Sequence, residues 1–407
     1  MQLSTLSNGL RVVSRAMPGI ETVAVGLFAD VGSRHEDARI NGIAHLFEHM
    51  VFKGAGRRNA GEISEAIEEV GGDLNACTER DATSFTASLM AEHLPLGIEI
   101  IADLVLRPQL TPRDLDREKQ VVLQELGEAR DTPNDIIFDD LWSAAYAGQP
   151  LGRAILGDEE SIEAIALDDL HRWRNDHYRG GGMILAAAGK VDHDVLVALA
   201  ESHFADLPDG DRPTFDPATF TAGSRVSRAP SDQAHLTLAY PAPAATADDY
   251  FAARLFADIV GGGMSSRLFQ EVREDRGLAY SIYSVVHPFS DTGLFYTYAA
   301  TAKKASAEAA QIIDSVIAEA AGDATQRELD RVRTQAKAGL LMSLETPWGQ
   351  ASYAARQLAV YGRLIEPDEV LERLAAVKLD DIRSAGSRMI AGGAARATIG
   401  VPSVRAA

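Results

Sequence analysis

Ala44-His-Leu-Phe-Glu-His-Met-Val51 aligns, position for position, with Ala253-Arg-Leu-Phe-Ala-Asp-Ile-Val260 further along the chain (253 − 44 = 209). The apolar positions match and the polar ones do not. A second pair runs in the same order: Thr111-Pro-Arg-Asp-Leu-Asp-Arg117 returns as Thr325-Gln-Arg-Glu-Leu-Asp-Arg331, at an offset of 325 − 111 = 214. Each of these copies opens on a Thr with an acid three residues later, close to the capping box that starts a helix, and Pro112 occupies a position where a first-turn proline is tolerated. Two matches in one order at similar offsets indicate two homologous halves.

Working outward, each half begins with an alternating strand (Thr22 to Ala29; His235 to Tyr240) followed by a helix. Ser84 to Met90 alternates again, and long amphipathic helices follow. Strands mixed with helices without regular alternation predict an α+β class, helices packed on a sheet. Pro, Gly, Asp and Thr interrupt any periodicity between Asp206 and Ser227, which places the join there. The expected division is a first domain over 1–210, a linker over 211–228 and a homologous second domain over 229–407.

A chain of 407 residues calls for more than one core, and no stretch nears the roughly 20 apolar residues of a membrane span. The start of the chain lacks a signal-type apolar run, and Leu10 to Val13 after an Asn-Gly turn reads as a folded strand. A cytoplasmic, bacterial-type protein with no membrane association is the expectation. Cys77 is the only cysteine, so neither an internal disulfide nor a thiolate-rich metal site can form, and any metal must be held by His, Asp or Glu. A formal charge of −20 argues against nucleic acid and favours basic peptides as partners.

Ile43, Leu46, Phe47 and Met50 recur at i, i+3, i+4 and i+7, one apolar helical stripe. His45, Glu48 and His49 fall off that stripe, with the two histidines one turn apart, so both imidazoles can reach one ion with a carboxylate beside them. The order His-x-x-Glu-His is that of the inverted zinc-peptidase motif. A further ligand is sought on the helix that starts near Thr111, where Glu118, Val122 and Glu125 share a face. Val121, Val122, Leu123 and Leu126 around them predict partial burial, and acids on a buried face need a partner. An Arg-paired or solvated stripe is the alternative.

The second copy narrows the choice. His45, Glu48 and His49 become Arg254, Ala257 and Asp258, while Glu118 and Glu125 become Val332 and Gly339. All five groups are gone where the apolar scaffold persists, as befits one constellation lost as a unit.

These residues resemble the pitrilysin, or insulinase-like, zinc metallopeptidases (inverzincins), most closely the subfamily of the mitochondrial processing peptidase β-subunit and its bacterial relatives. The likeness runs through LSNGLRVV (6–13), VGSRHE (31–36), GIAHLFEHMVFKG (42–54), GGDLNACT (71–78), REKQVVLQEL (117–126) and GGGMSSRLFQEVREDRGLAYSIYS (261–284). It implies two homologous α+β halves, each a mostly antiparallel sheet flanked by helices, facing each other as a clam-shell. It implies one Zn²⁺ per chain held by His45, His49 and Glu125, with Glu48 as general base and Glu118 as an acidic neighbour tuning the site. Arg273 and Tyr280 match the pair with which the family's second domain holds substrate, and Asn75 and Ala76 the edge along which the substrate backbone lies.

The activity so implied is hydrolysis of peptides or unfolded segments in an enclosed chamber. A homodimer is expected because one chain carries both residue sets. A heterodimer with a related subunit, or a non-catalytic scaffold-type relative, are the alternatives. Gly261 to Gly263 lack the Lys-Ser/Thr of a phosphate loop, which argues against nucleotide binding.

Overall fold

The computed structural model describes residues 1–401. It divides into two compact units, and each is interrupted in sequence.

The first unit takes in Met1–Leu126, Arg153–Asp216 and Leu341–Ile365. Besides a two-stranded hairpin (Gly54–Ala55 with Arg58–Asn59), its main sheet has six strands: β1 (Gln2–Thr5), β2 (Arg11–Ala16), β3 (Thr22–Ala29), β4 (Asp73–Thr78), β5 (Thr83–Met90) and β6 (Met183–Gly189). They lie side by side in the order β1-β2-β6-β3-β5-β4. Only the β2–β6 pair is parallel. Successive side chains point to opposite faces of a strand, and the two faces here bury separate cores. Val12, Val25, Leu27 and Leu185 pack with Leu46 and Phe47 of helix Ile43–Val51 and with Ile98 and Leu104 of helix Leu94–Leu106. Val13, Ile184, Ala186 and Ala188 pack instead on Ala351, Ala354, Ala355 and Leu358 of helix Pro347–Tyr361.

The second unit takes in Gly127–Gly152, Pro217–Leu340 and the described residues from Glu366 on. Its strands are β7 (Ser224–Ser227), β8 (Gln233–Ala242), β9 (Ala279–Pro288), β10 (Gly293–Ala302) and β11 (Ala395–Ile399), in the order β9-β10-β8-β11-β7. Again one pair is parallel, β11–β7. Ile137, Leu141, Trp142 and Ala145 of helix Pro133–Ala145 cover one face, against Ala239, Tyr298, Ala395 and Ala397.

Strand for strand, β4-β5-β3-β6-β2 of the first sheet correspond to β9-β10-β8-β11-β7 of the second, with the single parallel pair in the same place. The two halves are therefore similar in structure, as the internal repeat predicts. The first merely adds β1 outside β2.

The contiguous division expected from sequence differs from these units in two segments. Residues 127–152 belong to the second unit and residues 341–365 to the first. The helices within them are themselves a repeat, Thr132-Pro133 and Thr346-Pro347 both opening a helix at 347 − 133 = 214. The long helices Pro112–Asp131 and Gln326–Ser343 carry the chain from one unit to the other before each short helix begins. The end of the expected linker also differs: residues 208–223 hold no helix or strand, but Ser224–Ser227 is a strand of the second sheet.

Candidate metal centre

Helix Ile43–Val51 begins at Gly42, whose φ of 95° is left-handed and leaves no side chain to cap the first turn. The capping acceptor comes from upstream. Glu36, fully buried, accepts from the backbone N–H of Gly42 at 2.9 Å and of Ala44 at 2.9 Å, and from Asn41 Nδ2 at 2.6 Å. Burial pushes the Glu36 carboxyl up to about 7 against the pull of these donors.

Ile43, Leu46, Phe47 and Met50 are buried as predicted, and His45, Glu48 and His49 lie half-buried on the flank of the helix. Helix Pro112–Asp131 starts at Thr111, whose Oγ1 accepts from the N–H of Asp114 at 3.2 Å. Its buried side carries Leu115, Glu118, Val122 and Leu126, which fits the expected burial except at Val121, which is exposed.

Glu118 and Glu125 take different places. Glu125 Oε2 lies 3.5 Å from His49 Nε2 and 3.8 Å from His45 Nε2. Glu118 is buried behind His49, with Oε2 3.3 Å from His49 Nδ1 and Oε1 3.0 Å from Lys53 Nζ. A carboxylate there can only accept from Nδ1, so Nε2 is the ring nitrogen turned toward Glu125.

His45 has no such partner. Its Nδ1 is buried without a hydrogen bond, and burial, with the His49 ring 4.6 Å away, pushes its pKa down to about 4. A neutral imidazole is the form that ligates a metal.

His45, His49 and Glu125 each offer one atom within 4.8 Å of the others, the one such group among the described residues. Tetrahedral ligands bound at about 2.0–2.2 Å stand roughly 3.3–3.6 Å apart. The Glu125-to-imidazole separations are close to that, so the donor set fits one divalent ion.

Glu48 stands beside these three side chains. Thr78 Oγ1 donates to its Oε2 at 2.6 Å, and burial raises its pKa above the usual carboxylate range. Thr78 ends β4, the outer strand of its sheet, so that strand's free edge adjoins Glu48. Asn75 and Ala76 lie on it, Asn75 exposed and Ala76 inward, and Cys77 is exposed two positions after Asn75.

Arg273 and Tyr280 come together within the second unit. Arg273 sits on a π-helical stretch, Phe269–Asp275, and Tyr280 on β9. Arg273 Nη1 donates to the Tyr280 carbonyl at 2.8 Å, and the guanidinium lies 4.5 Å over the Tyr280 ring and 4.6 Å over that of Phe269. They line a cavity of about 380 Å³ together with Phe138, Tyr283 and Tyr298. On helix Tyr250–Gly261, which carries the second copy, Asp258 is held up to about 6 by burial, and Arg254 opposes that shift.

Glu36, Lys53 and Thr78 did not stand out in the sequence. Each lies in a run quoted only for its resemblance: Glu36 in VGSRHE, Lys53 in GIAHLFEHMVFKG and Thr78 in GGDLNACT.

Comparison with known proteins shows the family of the chain. Residues 11–159 match the family described as insulinase (peptidase family M16), and residues 164–336 match the peptidase M16 inactive domain. An uncharacterized zinc protease of Rickettsia bellii is 35% identical over 399 residues, 98% of this chain and 97% of its own. The uncharacterized zinc protease YmxG of Bacillus subtilis is 32% identical, covering 93% of each chain. The fold also matches that of a protease from Helicobacter pylori, with a TM-score of 0.90 at 23% identity over 98% of both chains. The chain belongs to the insulinase family of peptidases, peptidase family M16. Among the described residues, no helix is long and apolar enough to cross a membrane.

Proposed function

We propose that this chain is a zinc-dependent endopeptidase with His45, His49 and Glu125 as the metal ligands and Glu48 as the general base. The observation that carries it is the convergence of Glu125 Oε2 on the Nε2 atoms of both histidines, at 3.5 and 3.8 Å. The zinc protease names of relatives at 32–35% identity support the choice of metal. A bound zinc ion supplies Lewis acidity, lowering the pKa of a water and polarising a carbonyl oxygen.

The chain's own residues do the rest. Glu48, oriented by Thr78 and kept basic by burial, takes a proton from the attacking water and delivers it to the leaving amine. Glu118 holds the ring of His49. The free edge of β4 at Asn75 and Ala76 pairs with the substrate backbone, which binds peptides with little regard to sequence. Arg273 and Tyr280 hold substrate from the second unit.

The substrates are peptides or unfolded segments, and the acidic balance of the chain favours basic ones. With both residue sets on one chain, a homodimer of the processing-peptidase type is the proposed working form.

Glu48→Gln and His45→Ala test the assignment. Glu48→Gln is expected to keep zinc and lose most turnover, and His45→Ala to lose both. Wild-type cleavage by Glu48→Gln would refute it.

A further inference from the structure

Glu36 is a buried ionisable group that the proposed chemistry leaves unused. It comes from the loop before helix Ile43–Val51, not from the helix, and three donors converge on it. Two are backbone N–H groups at the helix start, Gly42 and Ala44, which an α-helix leaves without intrahelical partners. A helix usually meets them with a Ser, Thr, Asp or Asn at the capping position. Here the left-handed Gly42 rules that out, and an added Cβ would run into the Leu156 carbonyl and the Ile162 side chain.

The loop is itself held. Arg153 donates to the Glu36 carbonyl, and Asn41 Nδ2 bridges the Glu36 carboxylate to the Ala154 carbonyl at 3.0 Å.

The two histidines depend on the helix to different degrees. His49 is oriented by a second group, Glu118 at Nδ1. His45, third residue of the helix, has a buried Nδ1 with no hydrogen-bond partner, so apart from the 3.8 Å approach of its Nε2 to Glu125, packing and the first turn of backbone aim its ring. That turn closes through the Leu46 N–H to the Gly42 carbonyl at 2.9 Å, between the two N–H groups anchored on Glu36.

We infer that Glu36 is the positioning residue of the metal centre: its carboxylate fixes the first turn of helix Ile43–Val51 and, through that turn, the ring of His45. The inference rests on His45 being a ligand. Glu36 touches no reacting atom. A glutamine in its place keeps the volume but turns an N–H₂ group toward N–H donors, so at least one anchoring bond fails.

The experiment measures zinc affinity by chelator competition, on protein shown to be folded. Glu36→Gln is compared with Ile184→Val, which trims the core on the other face of the sheet and lowers stability without touching the helix. Glu36→Gln is expected to bind zinc about tenfold more weakly or worse, the usual effect of losing a group that orients a ligand. Ile184→Val is expected to bind as wild type. If Glu36→Gln does not fold, Asn41→Ala removes one of the three donors and should weaken zinc roughly threefold.

Hydrogen exchange of the metal-free protein gives a second reading. The Leu46 amide should exchange faster in Glu36→Gln than in Ile184→Val. Unchanged zinc affinity and unchanged Leu46 exchange in the Glu36 variant would overturn the inference. If the wild type takes up no zinc, the peptidase assignment fails, and the Leu46 exchange still decides whether Glu36 anchors the turn.

Discussion

The hydroxyl of Thr78 lies 2.6 Å from Oε2 of Glu48, joining the last residue of an edge strand to the carboxylate beside the proposed metal ligands. A threonine hydroxyl has one proton to give, and here it goes to the group assigned as base. The bond holds the carboxylate in one orientation while burial keeps it proton-hungry.

Thr78→Val keeps the shape of the side chain and removes that proton. Turnover is expected to fall by about 10- to 100-fold, the scale of a lost hydrogen bond to a charged group, with zinc content unchanged. Thr78→Ser should restore most of the rate. Steady-state kinetics beside metal analysis check this, and a wild-type kcat for Thr78→Val would remove Thr78 from the mechanism.

Glu118→Gln leaves the direct ligands untouched but weakens the acceptor at His49 Nδ1. Zinc affinity should drop by roughly 10- to 100-fold. Chelator competition measures it. An unchanged affinity would mean that the 3.3 Å contact does not orient the ring.

Arg273→Ala removes a guanidinium stacked between Phe269 and Tyr280 and tied to the Tyr280 carbonyl. In its proposed role of holding substrate, its loss should raise KM about tenfold while zinc content stays at the wild-type level. Equal losses in kcat and kcat/KM would instead assign Arg273 to the transition state.

The Glu36 carboxyl, raised by burial from 4.5 to about 7, ties stability to pH. Between those values the folded chain keeps a proton that the unfolded chain gives up. Its contribution to stability is therefore complete below about pH 4.5 and is lost as pH rises through about 7. His35 and His45, both pushed down to about 4 by burial, act in the opposite sense, lowering stability as pH falls below 6.5. Wild type minus Glu36→Gln isolates the glutamate. For metal-free protein in urea, that difference should decline from pH 4.5 to 7.5, and a flat difference would contradict the assigned shift.

Leu358 is encoded in the second half of the chain yet packs on Ile184 and Ala186 of the first sheet. Leu358→Ala should destabilise the first unit by about 2–5 kcal/mol. Hydrogen exchange would show faster opening of β2 and β6, whereas an effect confined to β8 and β11 would contradict the interleaved packing.

Much of this was legible in the sequence because it is local. The 3.6-residue stripe of Ile43, Leu46, Phe47 and Met50 set the helix and, by exclusion, which side chains stand off it. The Thr111 start and the spacing of Glu118 and Glu125 put both acids on one helix, although periodicity alone did not say which would meet the histidines. Distance did, two turns apart: Glu125 reaches both Nε2 atoms while Glu118 sits behind His49.

Non-local features left weaker traces. Helices Pro133–Ala145 and Pro347–Tyr361 open with the same Thr-Pro, and nothing in an apolar face says which of two similar sheets it will cover. Val121 reads as core by hydropathy but falls on the solvent side of its helix. Glu36 acts as a cap from six residues before Gly42, outside any capping pattern, and Thr78 meets Glu48 across 30 positions of chain.

The most direct test of the metal assignment is to purify the chain by itself, measure zinc per chain, and follow cleavage of a quenched basic peptide with and without chelator. One zinc per chain, cleavage abolished by chelator and restored by adding zinc back, is the predicted result. Folded protein that takes up no zinc, or that cleaves equally well after the metal is stripped, would contradict it.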